Sequence, residues 1–199
     1  RGGIMNKLNK HFTASAVIIK DGKILLIWHN KLNVWLYPGG HIEENENPDD
    51  AVIREVKEET NLDVKIIQNP NQNLATNTVK VLHNPYTILE EQIGDVNENH
   101  YHIDMVYLCE PINENIKIRE TEVKKYKWCT IDDIKEMAQR IALDENTIRE
   151  EYIRHNAEMQ ENSIKTAKKE LQAKRKRTEE LSRLMQIAYE DRLKGKMPE

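Results

Sequence analysis

The chain is poor in the residues and runs that mark several protein classes. In 199 residues it has one phenylalanine, two cysteines and no apolar run longer than five, as in Ile24–Trp28. A membrane-spanning helix needs about 18 to 20 apolar residues in succession, so a transmembrane helix is excluded. Arg1–Lys10 lacks the apolar stretch of about 7 to 15 residues that a secretory leader requires, and a cytoplasmic protein is expected. Cys109 and Cys129 are too few for a disulfide framework or a zinc ligand set and are expected as buried thiols. A net charge of −4 supplies no general positive field, so neither nucleic acid nor a membrane is an expected partner. At 38% apolar residues, the chain can bury one core of ordinary size rather than two.

Glycine and proline are missing between Asp144 and Lys194. Residues 141–199 hold 13 Lys+Arg and 12 Asp+Glu, which leaves the first 140 residues net −5 and the remainder net +1. A stretch without breakers and with balanced charge reads as a long solvated helix. The expected organisation is a domain over residues 5–140 followed by a charged helical extension over 141–199.

Within the first part, Phe12–Lys20 is rich in β-formers. Asp21-Gly22 separates it from Lys23–Trp28, a strong hairpin signal. Trp35–Gly40 reads as a loop. Asn47-Pro48-Asp49-Asp50 predicts a helix start, with Asn as N-cap, Pro at the first helical position and acids in the first turn; this helix should end near Thr60. Strands are expected at Asp63–Gln68, Thr78–Leu82, Tyr86–Glu90, Tyr101–Leu108 and Lys125–Thr130. Thr130-x-x-Asp133 is a capping-box-like start to a helix through Gln139. Many strands with one central and one late helix indicate an α/β or α+β sandwich.

The chemistry is concentrated in Gly39–Leu62. At about 100° per residue, Glu55, Glu58 and Glu59 share one helix face. Three carboxylates placed together repel one another unless a positive charge sits among them. Oxygen donors without His or Cys suit Mg²⁺ or Mn²⁺, which are commonly held by a few carboxylates together with substrate phosphates. The preceding Gly-Gly lets backbone approach such a site closely.

These residues also stand in a fixed frame. Gly40, five residues, Glu46, seven residues, then Arg54-Glu55-Val56-x-Glu58-Glu59-x-Asn61-Leu62 resembles the Nudix hydrolase signature G-x5-E-x7-R-E-U-x-E-E-x-G-U, with U apolar. Asn61 stands where that family has Gly. A helix C-cap with positive φ is the physical demand there, and Asn tolerates it best after Gly. The resemblance covers roughly residues 10–140 and implies a Nudix α/β/α sandwich with a mixed sheet. It implies metal-dependent hydrolysis of a nucleoside diphosphate linked to a further group, by water attack on phosphorus. It makes Glu55, Glu58 and Glu59 ligands for Mg²⁺ or Mn²⁺, has Arg54 orient a glutamate through a salt bridge, and has Glu46 support the loop and Gly40 contribute backbone.

The general base varies within that family, and the candidates here are Glu58 within the signature and Glu90, Glu91, Glu98, His100 and His102 beyond it, with Glu91 and His100 carried forward as catalytic candidates. Trp35 and Tyr37, which flank the Gly39-Gly40 turn, are candidates to stack on a base. A nucleotide-type small molecule is the expected substrate, but the markers of particular Nudix subgroups are missing and leave it open. The alternative is a non-catalytic Nudix-like module that binds a nucleotide or a protein; the intact Arg54, Glu55, Glu58 and Glu59 favour the enzyme.

In the extension, Ile164, Ala167, Leu171, Lys174, Thr178, Leu181, Met185 and Ala188 follow 3-4 spacing. This is an amphipathic, coiled-coil-like helix that must fold back on the domain or pair in a homo-oligomer. Lys169–Lys196 also resembles the coiled-coil segment of large serine recombinases, which suggests a chimera; no recombinase catalytic residue is carried over.

Overall fold

In the computed structural model, the described residues are 9–67, 74–93, 100–140 and 161–193. Glu98 and residues 141–160 of the extension lie outside them. Strands β1 (Asn9–Lys20) and β2 (Lys23–His29) form the opening hairpin. Asp21 and Gly22 turn the chain with φ of 49° and 70°, the positive pair that a tight twisted hairpin requires.

Trp35–Gly40, expected as a loop, instead contributes two short strands, β3 (Val34–Leu36) against β2 and β4 (Gly39–His41) against β1. The glycines are there because neighbours close in on both sides, not because the chain turns. A Cβ on Gly39 would lie 2.4 Å from Ser15 Oγ, and one on Gly40 would lie 2.4 Å from Glu55 Oε1.

Helix α1 (Pro48–Thr60) has the expected ends. The Asn47 side chain accepts from the Asp50 N–H at 3.1 Å, and Asn61, at φ 60° and ψ 9°, donates its N–H to the Lys57 carbonyl at 2.9 Å. Strands β5 (Val64–Ile66), β6 (Thr87–Gln92), β7 (His100–Pro111) and β8 (Val123–Cys129) follow. The strand expected at Thr78–Leu82 is reduced to an isolated bridge between Thr76 and Val79. Leu74 and Val79 are exposed there, so no buried face holds a strand in place. Helix α2 covers 131–140. Its start is the reciprocal cap read from the sequence: Asp133 Oδ2 accepts the Thr130 N–H at 2.8 Å, and Thr130 Oγ1 accepts the Asp133 N–H at 3.2 Å. The last helix is α3 (Glu161–Leu193).

The sheet is mixed. Its order is β3-β2-β1-β7-β5, with β4 beside β1, β6 beside β7 and β8 beside β2. Only β1 and β7 run parallel among the described pairs, in register from Asn9↔His100 to Ile18↔Cys109. Alternation then sorts the strands into two faces. Ala14, Ala16 and Ile18 of β1, with Tyr107 and Cys109 of β7, pack against Ala51, Val52 and Val56 of α1. Val17 and Ile19, with Val106 and Leu108, pack on the other face against Ile134 of α2 and Leu181, Met185 and Ala188 of α3. Both cysteines are buried free thiols. The result is an α/β/α sandwich.

The apolar stripe of the extension is thus engaged within the chain over Leu181–Ala188. Burying side chains such as Leu181 and Met185 stabilises the fold by about 1.5 to 3 kcal/mol each. Tyr86 Oη fastens the end of α3 by donating to Asp191 Oδ2 at 3.0 Å.

Candidate functional site

Helix α1 brings Arg54, Glu55, Glu58 and Glu59 up to β4. The Arg54 guanidinium forms a fork on Glu46, Nε to Oε1 and Nη2 to Oε2, both at 2.8 Å. Its Nη1 donates to Glu55 Oε1 at 2.9 Å, and its Nη2 donates also to the His41 carbonyl at 2.9 Å. One rigid cation therefore fixes the loop before α1, the carboxylate of Glu55 and the end of β4 together. Glu59 Oε2 accepts the Gly39 N–H at 3.0 Å. Glu58 is the most open of the three, with its Oε1 3.8 Å from Arg54 Nη1 and its Oε2 accepting from Arg119 Nη1 at 3.0 Å. Arg119 lies in the segment before β8, and no local pattern announced it.

Among the described residues, Arg54 and Arg119 are the cations paired with the carboxylates of Glu46, Glu55 and Glu58. Hydrogen bonding from Arg54 holds Glu46 below its ordinary range. Burial pushes Glu55 up despite Arg54, and burial pushes Glu59 up to about 8, with Glu55, Glu122 and Glu58 adding repulsion. Glu59 is only 3% exposed. Carboxylates in such a setting ionise fully when a cation joins them. The donors are oxygens, the glycine backbone comes close, and a side chain on Gly40 would strike the Glu55 carboxylate, so the residues present fit a hard divalent cation.

Across β4 lies a cleft on the α3 side of the sheet, lined among others by Tyr37, Gly39, Gly40, Glu91, Asp104 and Arg177. Parallel pairing of β1 with β7 sets Thr13 beside Asp104. Thr13 Oγ1 and Ser15 Oγ donate to Asp104 Oδ1 at 2.9 and 2.8 Å, and Tyr37 Oη donates to Asp104 Oδ2 at 3.2 Å. Burial still raises Asp104. Glu91, directly opposite His102 in the β6–β7 pair, is pushed up to about 7 by burial, with Asp104 adding and Arg177 opposing. Arg177 makes no ion pair among the described residues, and with Leu181 and Leu184 it forms the α3 wall of the cleft.

The residues singled out in the sequence are not all brought together. Glu55, Glu58, Glu59 and Arg54 sit on the α1 side, Gly39 and Gly40 at the divide, and Glu91 and Tyr37 in the cleft. Trp35 is not among the residues lining the cleft; it packs edge-to-face on Trp28, ring centroids 5.5 Å apart, with Lys125 Nζ 5.3 Å from its ring. His100 is also off the cleft lining and stands against His11. Glu90 points away to an ion pair with Lys10. Ser15, Thr13 and Arg177 carried no local signal that set them in the site.

Residues 9–151 match the NUDIX domain, and the chain belongs to that family. A NUDIX-family hydrolase from Clostridium perfringens, known from its crystal structure, is 34% identical, covering 83% of this chain and 98% of that one, with a TM-score of 0.56. A MutT NUDIX hydrolase from Burkholderia pseudomallei shares the fold at 20% identity and a TM-score of 0.50, over 63% of this chain and 86% of that one. Among curated proteins, a probable DHNTP pyrophosphohydrolase of Lactococcus lactis is 30% identical over 108 residues, 54% of this chain and 58% of that protein. An 8-oxo-dGTP diphosphatase of Proteus vulgaris is 31% identical over 31% of this chain and 58% of that protein. The chain thus spans little more than half the length of these two relatives. No helix among the described residues is long and apolar enough to cross a membrane.

Proposed function

We propose that the chain is a metal-dependent pyrophosphohydrolase, hydrolysing a nucleoside diphosphate linked to a further group by water attack on phosphorus. The observation that carries this is the pairing of Glu59 with Gly39: desolvated carboxylates and glycine backbone meet on the edge of a cleft. The names of two relatives, a DHNTP pyrophosphohydrolase and an 8-oxo-dGTP diphosphatase, support the substrate class.

Glu55, Glu58 and Glu59 would hold Mg²⁺ or Mn²⁺. Such an ion, when bound, neutralises charge on the pyrophosphate and lowers the pKa of water. The chain's own residues do the rest. Arg54 keeps Glu55 and the loop of Glu46 in place, and Gly39 holds Glu59. The cleft takes the nucleoside, with Tyr37 fixed by Asp104, and Arg177 draws in phosphate. Glu91 accepts the proton of the attacking water at a carboxylate oxygen, which its position in the cleft and an affinity near neutrality suit. α3 serves as the cleft's wall, and its recombinase-like sequence adds no chemistry to this scheme.

A screen of nucleoside triphosphates, nucleotide sugars, ADP-ribose and dinucleoside polyphosphates with Mg²⁺ or Mn²⁺, with Glu58→Gln as control, tests the proposal. Metal-dependent turnover that the control lacks supports it. Well-folded protein that binds nucleotides but turns none over makes the chain a binding module instead.

A further inference from the structure

Four of the seven histidines meet on one face of the sheet, and the hydrolase scheme uses none of them. His11 lies on β1, His41 on β4, and His100 and His102 on β7. The parallel register pairs His11 with His102, and the β1–β4 register sets His41 opposite Thr13, two residues along the same face. His11 Nδ1 lies 3.2 Å from His41 Nε2 and 3.3 Å from His100 Nε2. Ring nitrogens of His11, His41 and His102 all fall within 4.8 Å of one another.

As bare imidazoles this arrangement is poorly satisfied. Two neighbouring nitrogens compete for the one Nδ1 of His11, and His102 Nε2 is buried with no hydrogen-bond partner among the described residues. An unpartnered buried ring nitrogen costs free energy unless something accepts its lone pair or its proton. Neutral imidazoles with converging nitrogens are ligands for a late first-row metal. With Zn–N bonds of about 2.0 to 2.1 Å, two tetrahedral ligands stand about 3.3 Å apart, close to the 3.2 Å between His11 Nδ1 and His41 Nε2.

We propose that His11, His41 and His102, with His100 beside them, bind one zinc-class divalent cation, separate from the carboxylate site. The donor chemistry sets the two sites apart: imidazole nitrogen here, carboxylate oxygen on α1. His41 and His102 also line the cleft, so a metal held by three imidazoles keeps a coordination position open toward it. The two sites are mechanically joined, because the His41 carbonyl accepts from Arg54. The proposal does not depend on the hydrolase reading, since binding is measured without turnover.

Co²⁺ titration of the metal-stripped full chain tests it, read by visible absorption, with Zn²⁺ as competitor and equilibrium dialysis for stoichiometry. With millimolar Mg²⁺ present throughout to fill the carboxylate site, the expected result is one equivalent of Co²⁺ with intense tetrahedral bands, displaced by Zn²⁺. Both bands and uptake should be lost in His11→Gln and in His41→Gln, each checked for folding by circular dichroism, and kept in Glu55→Gln. Two variants are used so that a folding failure in one still leaves the other to decide. No uptake by the intact chain, or uptake that survives both histidine variants and disappears in Glu55→Gln, would overturn the site.

Discussion

The backbone N–H of Gly39 donates to Glu59 Oε2 at 3.0 Å, and this bond joins the two sides of the molecule at the site. On one side are the carboxylates of α1; on the other, the space that Gly39 shares with Ser15 opens into the cleft. β4 is therefore a partition one strand thick.

The two glycines of that partition should fail differently. A Cβ on Gly40 would collide with Glu55 Oε1 at 2.4 Å, the end of a side chain that can swing away. Gly40→Ala should keep its stability within about 1 kcal/mol and lose most metal-dependent turnover. A Cβ on Gly39 would lie 2.7 Å from the Cα of Ser15, which cannot move without the strand. Gly39→Ala should lose about 2 to 3 kcal/mol in urea unfolding. Equal losses of stability in both variants would contradict this role for β4.

Helix α3 packs on the sheet through Leu181, Met185 and Ala188. Met185 is fully buried between the sheet and α2, so Met185→Ala should cost about 2 to 5 kcal/mol and lower the unfolding midpoint of the whole domain in a single transition. An unchanged midpoint, or a separate early transition confined to the helix, would show that α3 does not support the core.

Arg177 faces the cleft from α3 without an ion pair among the described residues. If it draws in substrate phosphate, Arg177→Ala should raise KM about tenfold while kcat changes little, because binding is lost equally in the ground and transition states. Loss of kcat with KM unchanged would move Arg177 from binding to chemistry.

The acidity of Glu91 gives a pH signature. Burial raises it from 4.5 to about 7 in the folded chain, so the fold favours its protonated form. Its contribution to stability is complete below pH 4.5 and is lost as pH rises through about 7. Between pH 4.5 and 8, Glu91→Gln should therefore gain about 2 to 3 kcal/mol relative to the intact chain, at about 1.4 kcal/mol per unit. Urea melts of both proteins at the two pH values check this; a constant difference between them would place Glu91 in solvent.

The parts of this structure that were legible in the sequence are those set by local rules. The Asp21-Gly22 turn, the Asn47 cap, the left-handed Asn61 and the Thr130–Asp133 cap each depend on a few adjacent residues. The Nudix signature is likewise local, because one helix and one preceding loop hold all of it. What depended on pairing between distant strands was not legible. His11 and His102 are neighbours only through the parallel register of β1 and β7, and Asp104 finds Thr13 and Ser15 in the same way, while Tyr37 reaches it from the segment between β3 and β4. Gly39 and Gly40 read as a loop because a glycine that yields space to a packed neighbour looks, in sequence, like one that turns the chain. The stripe of α3 showed that a partner face was needed, but not that β1 and β7 would supply it.

Hydrolysis at phosphorus by water in a metal-dependent site is the central claim. It is tested most directly by running the reaction on the best substrate of the screen in ¹⁸O-labelled water, with and without Mg²⁺, and weighing the products by mass spectrometry. One labelled oxygen is predicted on a phosphate product, only with the metal present, and little in Glu58→Gln. Label in a non-phosphate product, or release that continues without metal at the same rate, would contradict it.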